Sequence, residues 1–228
     1  MGAPRVIYRS DRLLAVDKPA GMLVHSDGTG SETLTDIVRD MLLKEGTPQS
    51  EHATRDLQAL QRLDRDTTGI VLFSLDKATQ PAYDRLISER GVEKRYLAVV
   101  EGSPAWRSRT FEGPIGRDRH DSRKMRVSRT GKPARTVARR VAVADRCGRR
   151  LALIDVRLDT GRKHQIRVHL SHAGLPILGD ALYGSAAPEG LMLHAHLMRF
   201  ADPVSGEDVV ISTGMPERFE RLFPSATA

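Results

Sequence analysis

The sequence has a single cysteine, Cys147, among its 228 residues. One cysteine excludes an internal disulfide and any zinc site built from several cysteines. Aromatic residues make up 4% of the chain, so the core must be largely aliphatic. The N-terminus has no apolar run of signal-peptide length, and no stretch is long enough to cross a membrane. These absences predict a cytoplasmic protein with no membrane partner.

Sites for metals and nucleotide cofactors are also lacking. Five histidines lie between residues 164 and 196, but no Glu joins them in a zinc-binding His pattern; they are His164, His169, His172, His194 and His196. The glycine-rich stretch 26–31 lacks the Lys-Ser/Thr ending of a phosphate-binding loop. We therefore expect no metal and no cofactor.

Positive charge is in excess and is concentrated locally. Lys and Arg number 36 against 29 acidic residues, a formal net charge of +7. In the span 117–140 only Asp118 and Asp121 oppose a dense basic series, which consists of Arg117, Arg119, Arg123, Lys124, Arg126, Arg129, Lys132, Arg135, Arg139 and Arg140. Such a series is typical of a solvated face or of a surface that contacts nucleic-acid phosphates, and we favour the second.

Hydrophobic spacing predicts alternating strands and helices. A first helix is expected to begin with Thr33 as its cap. A second is expected to begin at Asp76–Thr79, with Ala82, Leu86 and Ile87 facing inward. A third is expected to end at Gly174 and to carry Lys163, Arg167 and Leu170 on one side. The polar stretch 44–58 is expected to be a connection, and 117–140 a mobile hairpin or loop. The expected strands are 6–8, 13–16, 70–75, 94–101, 137–144, 151–158, 191–200 and 209–211. The pattern predicts one α+β domain over 1–228, with its core at about 11–211 and a mainly antiparallel mixed sheet flanked by helices.

Two polar concentrations stand out. In residues 61–69, Arg62, Asp64, Arg65 and Asp66 alternate in charge directly before an apolar strand. Arginine beside aspartate is how a carboxylate stays ionised where water is scarce, but structural ion pairs also close such loops. The second concentration, 160–172, includes Arg167, which could meet a carboxylate or simply lie on a solvated basic helix.

Read together, these segments resemble a known family. Residues 62–69, Arg-Leu-Asp-Arg-Asp-Thr-Thr-Gly, resemble the central motif of the RluA-type pseudouridine synthases. Four other segments are similar to the same family and occur in its order; they are 17–21, 94–98, 161–170 and 176–180. The position before Arg62 is usually His in that family and is Gln61 here. No S4-like RNA-binding module precedes residue 11, so we expect recognition to come from the catalytic domain.

The resemblance implies the reaction and the roles. A uridine in structured RNA, a tRNA or a large-subunit rRNA, would be isomerised to pseudouridine in a central cleft without cofactor or metal. Asp64 would be the nucleophilic carboxylate, Arg167 its basic partner, and Tyr96 the residue that stacks on the target base. Arg62 would fill the position that the flipped base leaves. The expected backbone contacts are Lys163, His164, Arg123, Lys124, Arg126 and Lys132.

Two other interpretations stay open at this point. A non-catalytic RNA-binding protein could retain the fold, although it would have no need of a carboxylate facing an anionic ligand. A metal-dependent nuclease could use Asp64 and Asp66, in which case EDTA would abolish its activity. We expect the enzyme to act as a monomer.

Overall fold

The computed structural model describes residues 2–28, 30–146 and 148–226. Cys147 therefore lies outside the described residues. The strands are β1 (Arg5–Arg9), β2 (Leu13–Lys18), β3 (Gln58–Ala59), β4 (Thr68–Ser74), β5 (Glu93–Glu101), β6 (Ser108–Phe111), β7 (Ile115–Arg117), β8 (Met125–Val127), β9 (Thr136–Arg146), β10 (Arg149–Leu158), β11 (Leu193–Ala201) and β12 (Asp208–Ser212). The helices are α1 (Leu34–Glu45), α2 (Pro48–Asp56), α3 (Gln80–Ser88), α4 (Gln165–His172) and α5 (Glu217–Glu220).

The chain divides into two compact units, and β11 begins in one and ends in the other. The first unit comprises Met1–Val92 and Leu197–Thr213, and the second comprises Glu93–His196 and Gly214–Ala228. The α+β class with mainly antiparallel strands is confirmed, since the strand pairs described within each unit are antiparallel. The single domain over 1–228 stays a prediction. In the described part of the chain, no helix is long and apolar enough to cross a membrane.

In the first unit, β2 lies between β1 and β4. The predicted β1–β2 pair is confirmed, and β2 pairs with β4 so that Lys18 lies opposite Gly69. Alternate residues of these strands, among them Leu13 and Ile70, enter a core that also contains Met198 and Phe200. This pairing places the start of β4, and the loop before it, beside the end of β2.

Of the helices described in the first unit, α1 and α2 have side-chain caps at their N-termini. Thr33 caps α1 as predicted: its hydroxyl accepts from the Asp36 amide at 3.2 Å, and Asp36 accepts from the Thr33 amide at 3.1 Å. The prediction of a mere connection over 44–58 was wrong, because Pro48–Asp56 form α2. Thr47 caps it and Pro48 begins it, yet its buried residues are only Ser50, Ala53 and Thr54, so its apolar face is too weak to read.

Helix α3 has a different inward residue from those predicted. Leu86 and Ile87 are partly buried against the core, as expected, but Ala82 is only half-buried. The fully packed residue is Tyr83, which is 1% exposed and whose hydroxyl donates to Asp202 at 2.8 Å. A buried tyrosine requires such a partner, which the sequence does not reveal because it is distant in the chain.

In the second unit, β10 lies between β5 and β9, and β6 pairs with the far edge of β9. The predicted pairing of the strands at 137–144 and 151–158 is confirmed. The basic span does contain a hairpin, β7 with β8. Its last residues are not loop, however, since β9 starts at Thr136. Arg139 is a strand residue whose guanidinium contacts buried Asp155 at 3.0 Å.

Candidate active site

Asp64 lies on a tight turn that ends at β4. The Thr67 amide donates to the Asp64 carbonyl at 3.1 Å, which closes the turn. Leu63 and Thr67 on either side are buried at 6% and 3% exposure, whereas Arg62 and Asp66 are exposed. Asp64 itself is half-buried. The turn therefore separates the two acids, since Asp66 lies at the solvent surface and Asp64 is partly withdrawn from it.

A buried lysine fixes this turn to the end of β2. Lys18 is 0% exposed, and its ammonium donates to the carbonyls of Pro19 at 2.9 Å, Met22 at 2.8 Å and Arg65 at 2.9 Å. Burial lowers the pKa of Lys18 to about 8, and the negative charges of Asp66 and Asp64 oppose the shift. All three protons of the ammonium are thus engaged by backbone, which makes Lys18 an anchor of the Asp64 turn.

The ends of the loop are closed by side-chain contacts. The Gln61 amide donates to the Ile70 carbonyl at 3.0 Å and approaches Met198 Sδ at 3.5 Å. Arg65 Nε donates to the Gly21 carbonyl at 3.1 Å. Gly69 has a φ of 109°, which a residue with a side chain rarely adopts. Gln61 therefore supports the loop, which gives a structural role to the position where the chain departs from the usual histidine.

The exposed Arg62 acts electrostatically on His25. Burial lowers the pKa of His25, and the charge of Arg62 lowers it further. In the first unit Arg62 therefore lies close enough to His25 for its charge to disfavour the protonated imidazole. His25 follows the turn signal at Pro19 and Gly21 in the sequence.

In the second unit, Tyr96 lies on β5 opposite Val156 of β10. Its exposed fraction is 6%, so the ring is packed on the sheet. The neighbouring Arg95 side chain forms an ion pair with buried Asp155. Burial raises the pKa of Asp155, but hydrogen bonds from Arg95 and Arg139 outweigh it and hold this pKa well below its usual range. Neighbouring residues of a strand point to opposite faces, so this ion pair and the Tyr96 ring are on different sides of the sheet.

Arg167 is held by a carboxylate of the same unit. From α4, its Nε and Nη2 donate to the two oxygens of Asp180, each at 2.8 Å. The Asp180 side chain is 0% exposed and also accepts from the amides of Leu182 and Tyr183 at 3.0 and 3.1 Å. Sequence reasoning missed this role of Asp180, although the residue lies in one of the segments that carry the resemblance.

The loop before α4 is fixed through Gln165. Its side-chain amide donates to Thr136 Oγ1 at 2.8 Å, and its oxygen accepts from the Arg162 amide at 3.0 Å. His169 Nε2 lies 2.8 Å from the Gly113 carbonyl, which can only accept, so this nitrogen carries the proton. Burial lowers the pKa of His169, which disfavours the protonated imidazole. The helix begins at Gln165, so the prediction that Lys163 shares a helical face with Arg167 was wrong.

The side chains predicted to contact RNA phosphates differ in their exposure and in their partners within the protein. Lys163 and Lys132 are exposed, and Lys124 and Arg126 are half-buried on the β7–β8 hairpin. Arg123 is exposed but its guanidinium pairs with Asp121 at 2.8 Å, which lowers the Asp121 pKa to about 2. His164 Nδ1 lies 2.8 Å from the Tyr183 hydroxyl. The hairpin and the residues before α4 thus place several cations in one unit.

One group of residues has the ligand types of a metal site. Ligand atoms of His52, Asp56 and Asp76 lie within 4.8 Å of one another in the first unit. Their carboxylates already accept hydrogen bonds, Asp56 from the Lys77 amide at 3.0 Å and Asp76 from the Ala78 amide at 2.9 Å. Among the described residues, no histidine of the second half of the chain joins such a group.

Comparison with known proteins assigns the chain to a family. The sequence pattern of the RNA pseudouridylate synthases matches residues 12–172. The chain belongs to this family. It is 37% identical to the ribosomal large subunit pseudouridine synthase D of Xanthomonas campestris, across 95% of this chain and 67% of that one. The enzyme of the same name from Zymomonas mobilis is 30% identical, across 96% and 71% of the two chains.

The fold agrees with this membership. The structure of human RNA pseudouridylate synthase domain containing 1 superimposes with a TM-score of 0.76 at 26% identity, covering 99% of this synthase and 88% of that chain. The RluA-type resemblance is therefore confirmed. The synthase is an RNA-modifying isomerase. The family match therefore does not support the alternative interpretation as a metal-dependent nuclease.

Proposed function

We propose that Asp64 is the carboxylate that initiates isomerisation of a uridine in RNA. The observation that carries the proposal is the anchored turn: Lys18 holds the Arg65 carbonyl next to Asp64, and Asp64 alone of the two loop acids is withdrawn from solvent. Carboxylate nucleophiles form covalent sugar adducts in glycosidases, so the chemistry has a precedent. A fixed backbone on both sides of the reacting group supplies the orientation that such a step requires.

The reaction exchanges one bond for another within a single nucleotide. The bond between C1′ of the ribose and N1 of uracil breaks, and C1′ rejoins C5 of the same base. C5 loses a proton and N1 takes one up, so no oxidant or second substrate enters. We assign the stacking contact with the base, and help in removing the C5 proton, to Tyr96.

Arg167 contributes positive charge where the ionised carboxylate and the RNA require it. Its bidentate contact with buried Asp180 orients the guanidinium, because two parallel hydrogen bonds fix the plane of the group. A fixed cation keeps an aspartate ionised in surroundings that exclude water. The family resemblance gives Arg167 the role of basic partner of the nucleophilic aspartate.

Arg62 is proposed to occupy the place of the flipped base. A uridine within a stacked RNA must leave its helix to react, at a cost of a few kcal/mol. Arg62 is exposed beside the half-buried Asp64, and a guanidinium can both stack on bases and pair with phosphate. The backbone contacts would come from Lys163, His164, Arg123, Lys124, Arg126 and Lys132, whose contribution falls as salt rises.

The proposed substrate is large-subunit ribosomal RNA, the RNA named for the relatives from Xanthomonas and Zymomonas. A tRNA substrate is the second candidate, favoured only by the family resemblance. Action as a cytoplasmic monomer without a metal is part of the same proposal. Mapping of pseudouridines in both RNAs from cells that lack this gene would distinguish the substrates, since one RNA would lose a modification that the gene restores.

The catalytic assignment is tested with RNA that carries tritium at C5 of uracil. Release of tritium by the wild-type enzyme in the presence of EDTA, and none by Asp64→Ala, is the expected result. Tritium release by Asp64→Ala at a rate near wild type would refute the assignment. Loss of wild-type activity in EDTA would instead support a metal-dependent reaction.

A further inference from the structure

Tyr183 contacts two parts of the second unit that the proposed function uses separately. It follows Asp180 in the loop after α4 and is half-buried against a small apolar cluster with Ile115 and Val168. Its ring faces Arg167, and its hydroxyl reaches strand β8 of the basic hairpin. Neither contact was expected from the sequence.

The ring and backbone of Tyr183 hold the arginine. Arg167 Cζ lies 5.1 Å from the ring centroid, within the range of a cation–π contact. The Tyr183 amide donates to Asp180 Oδ1 at 3.1 Å, and this oxygen also accepts from Arg167 Nη2 at 2.8 Å. Ser171 of α4 donates to the Tyr183 carbonyl at 2.8 Å. The position of Tyr183 is thus fixed by the same helix and carboxylate that orient the guanidinium.

The hydroxyl of Tyr183 holds the hairpin. Its oxygen accepts from the Met125 amide at 2.7 Å and lies 2.8 Å from His164 Nδ1. A phenol accepts one such bond and can donate its own proton to a neutral imidazole, so both contacts can be made together. Lys124 directly precedes Met125, and Arg126 follows it on β8 with its side chain on the opposite face of the strand. Fixing the Met125 backbone therefore fixes two of the proposed phosphate-binding cations.

We infer that Tyr183 is a positioning residue that links the basic hairpin to Arg167, so that RNA bound by the hairpin is held in register with the guanidinium. The inference rests on the proposed roles of Arg167 and the hairpin. It assigns different roles to the hydroxyl and the ring of Tyr183. The hydroxyl governs how the hairpin binds RNA, and the ring governs how Arg167 supports the reaction.

The test uses steady-state kinetics on the full-length enzyme with an RNA substrate. Tyr183→Phe keeps the ring and removes the hydroxyl; we expect KM to rise about threefold to tenfold, the range that one hydrogen bond is worth, and kcat to change much less. Tyr183→Leu removes the ring as well and is expected to lower kcat about tenfold. Tyr83→Phe is the matched control, because it removes a buried hydroxyl bond in the first unit and is expected to lower stability without raising KM.

A double-mutant cycle tests whether the Tyr183 hydroxyl affects RNA binding through the hairpin or independently of it. If the hydroxyl acts by placing the hairpin, Tyr183→Phe combined with Lys124→Ala raises KM by less than the product of the two single effects. Multiplicative effects would overturn the inference, and so would an unchanged KM in Tyr183→Phe. Full activity in Arg167→Ala or unaltered RNA binding in Lys124→Ala would instead refute the proposed function, whatever Tyr183 does.

Discussion

Replacing Lys18 by methionine tests whether the Asp64 turn depends on its buried anchor. Methionine keeps an unbranched side chain of similar length but cannot donate to the carbonyls of Pro19, Met22 and Arg65. A buried acceptor without a partner costs about 1–3 kcal/mol, so loss of all three donors costs about 6 kcal/mol. The variant also removes a buried charge. The pKa of Lys18, lowered from 10.5 to about 8, corresponds to about 3 kcal/mol of burial cost that the variant no longer bears.

The net expectation for Lys18→Met is a destabilisation of about 3 kcal/mol at neutral pH, measured by urea unfolding. Because the turn next to Asp64 loses its tether, we also expect kcat to fall about a hundredfold, the effect of a small misplacement of a reacting group. Lys94→Met is the control for stability. Burial alone lowers the pKa of Lys94, and within the described part of the chain its ammonium makes no hydrogen bond. This control should be as stable as wild type or more stable.

The anchoring argument would be refuted if Lys18→Met were as stable as Lys94→Met. A variant that lost stability but kept the wild-type kcat under conditions where it is folded would refute the link between the anchor and catalysis. Circular dichroism at the assay temperature establishes the folded fraction and separates the two results.

Three further predictions concern pH, the arginine and salt. Because the folded state releases the Lys18 proton near pH 8 and the unfolded chain near 10.5, wild-type stability relative to Lys18→Met should rise between these values; a flat difference in urea unfolding would contradict the lowered pKa. Arg167→Lys should lose about 1–3 kcal/mol of unfolding free energy and much of kcat, since an ammonium cannot bind both oxygens of Asp180 in a fork; equal stability would show that the bidentate contact is unimportant. Lys124→Ala should reduce the slope of log Kd against log salt by about 1, and an unchanged slope would exclude a phosphate contact.

The sequence predicted the elements whose signals are local. The β1–β2 pair follows from two short apolar runs separated by Arg9-Ser10-Asp11, and α1 follows from Thr33 with regularly spaced apolar residues. The sequence did not reveal helix α2 because only small residues face inward, and its remaining signals were the capping residue Thr47 and Pro48 in its first turn. Local patterns thus reveal an element when its buried face is large.

The sequence identified the site residues that belong to a motif, but not the hydrogen bonds that hold them, because those join residues distant in the chain. Asp64, Tyr96 and Arg167 are identified by ordered segments of the sequence and stay predictions until tested. The contact of Arg167 with Asp180 joins residues on a helix and in a following loop, and no spacing rule pairs them. The hydrogen bond from the Lys18 ammonium to the Arg65 carbonyl depends on the register of β2 with β4, which only the folded chain defines.

The most direct test of the account compares Asp64→Asn with Asp66→Asn in single-turnover reactions at saturating RNA. Each change removes one negative charge from the same loop and keeps the shape of the side chain. We predict that Asp64→Asn forms no pseudouridine while it binds RNA and remains folded, and that Asp66→Asn retains a rate close to wild type. Equal losses in the two variants, or substantial product formation by Asp64→Asn, would contradict the central claim.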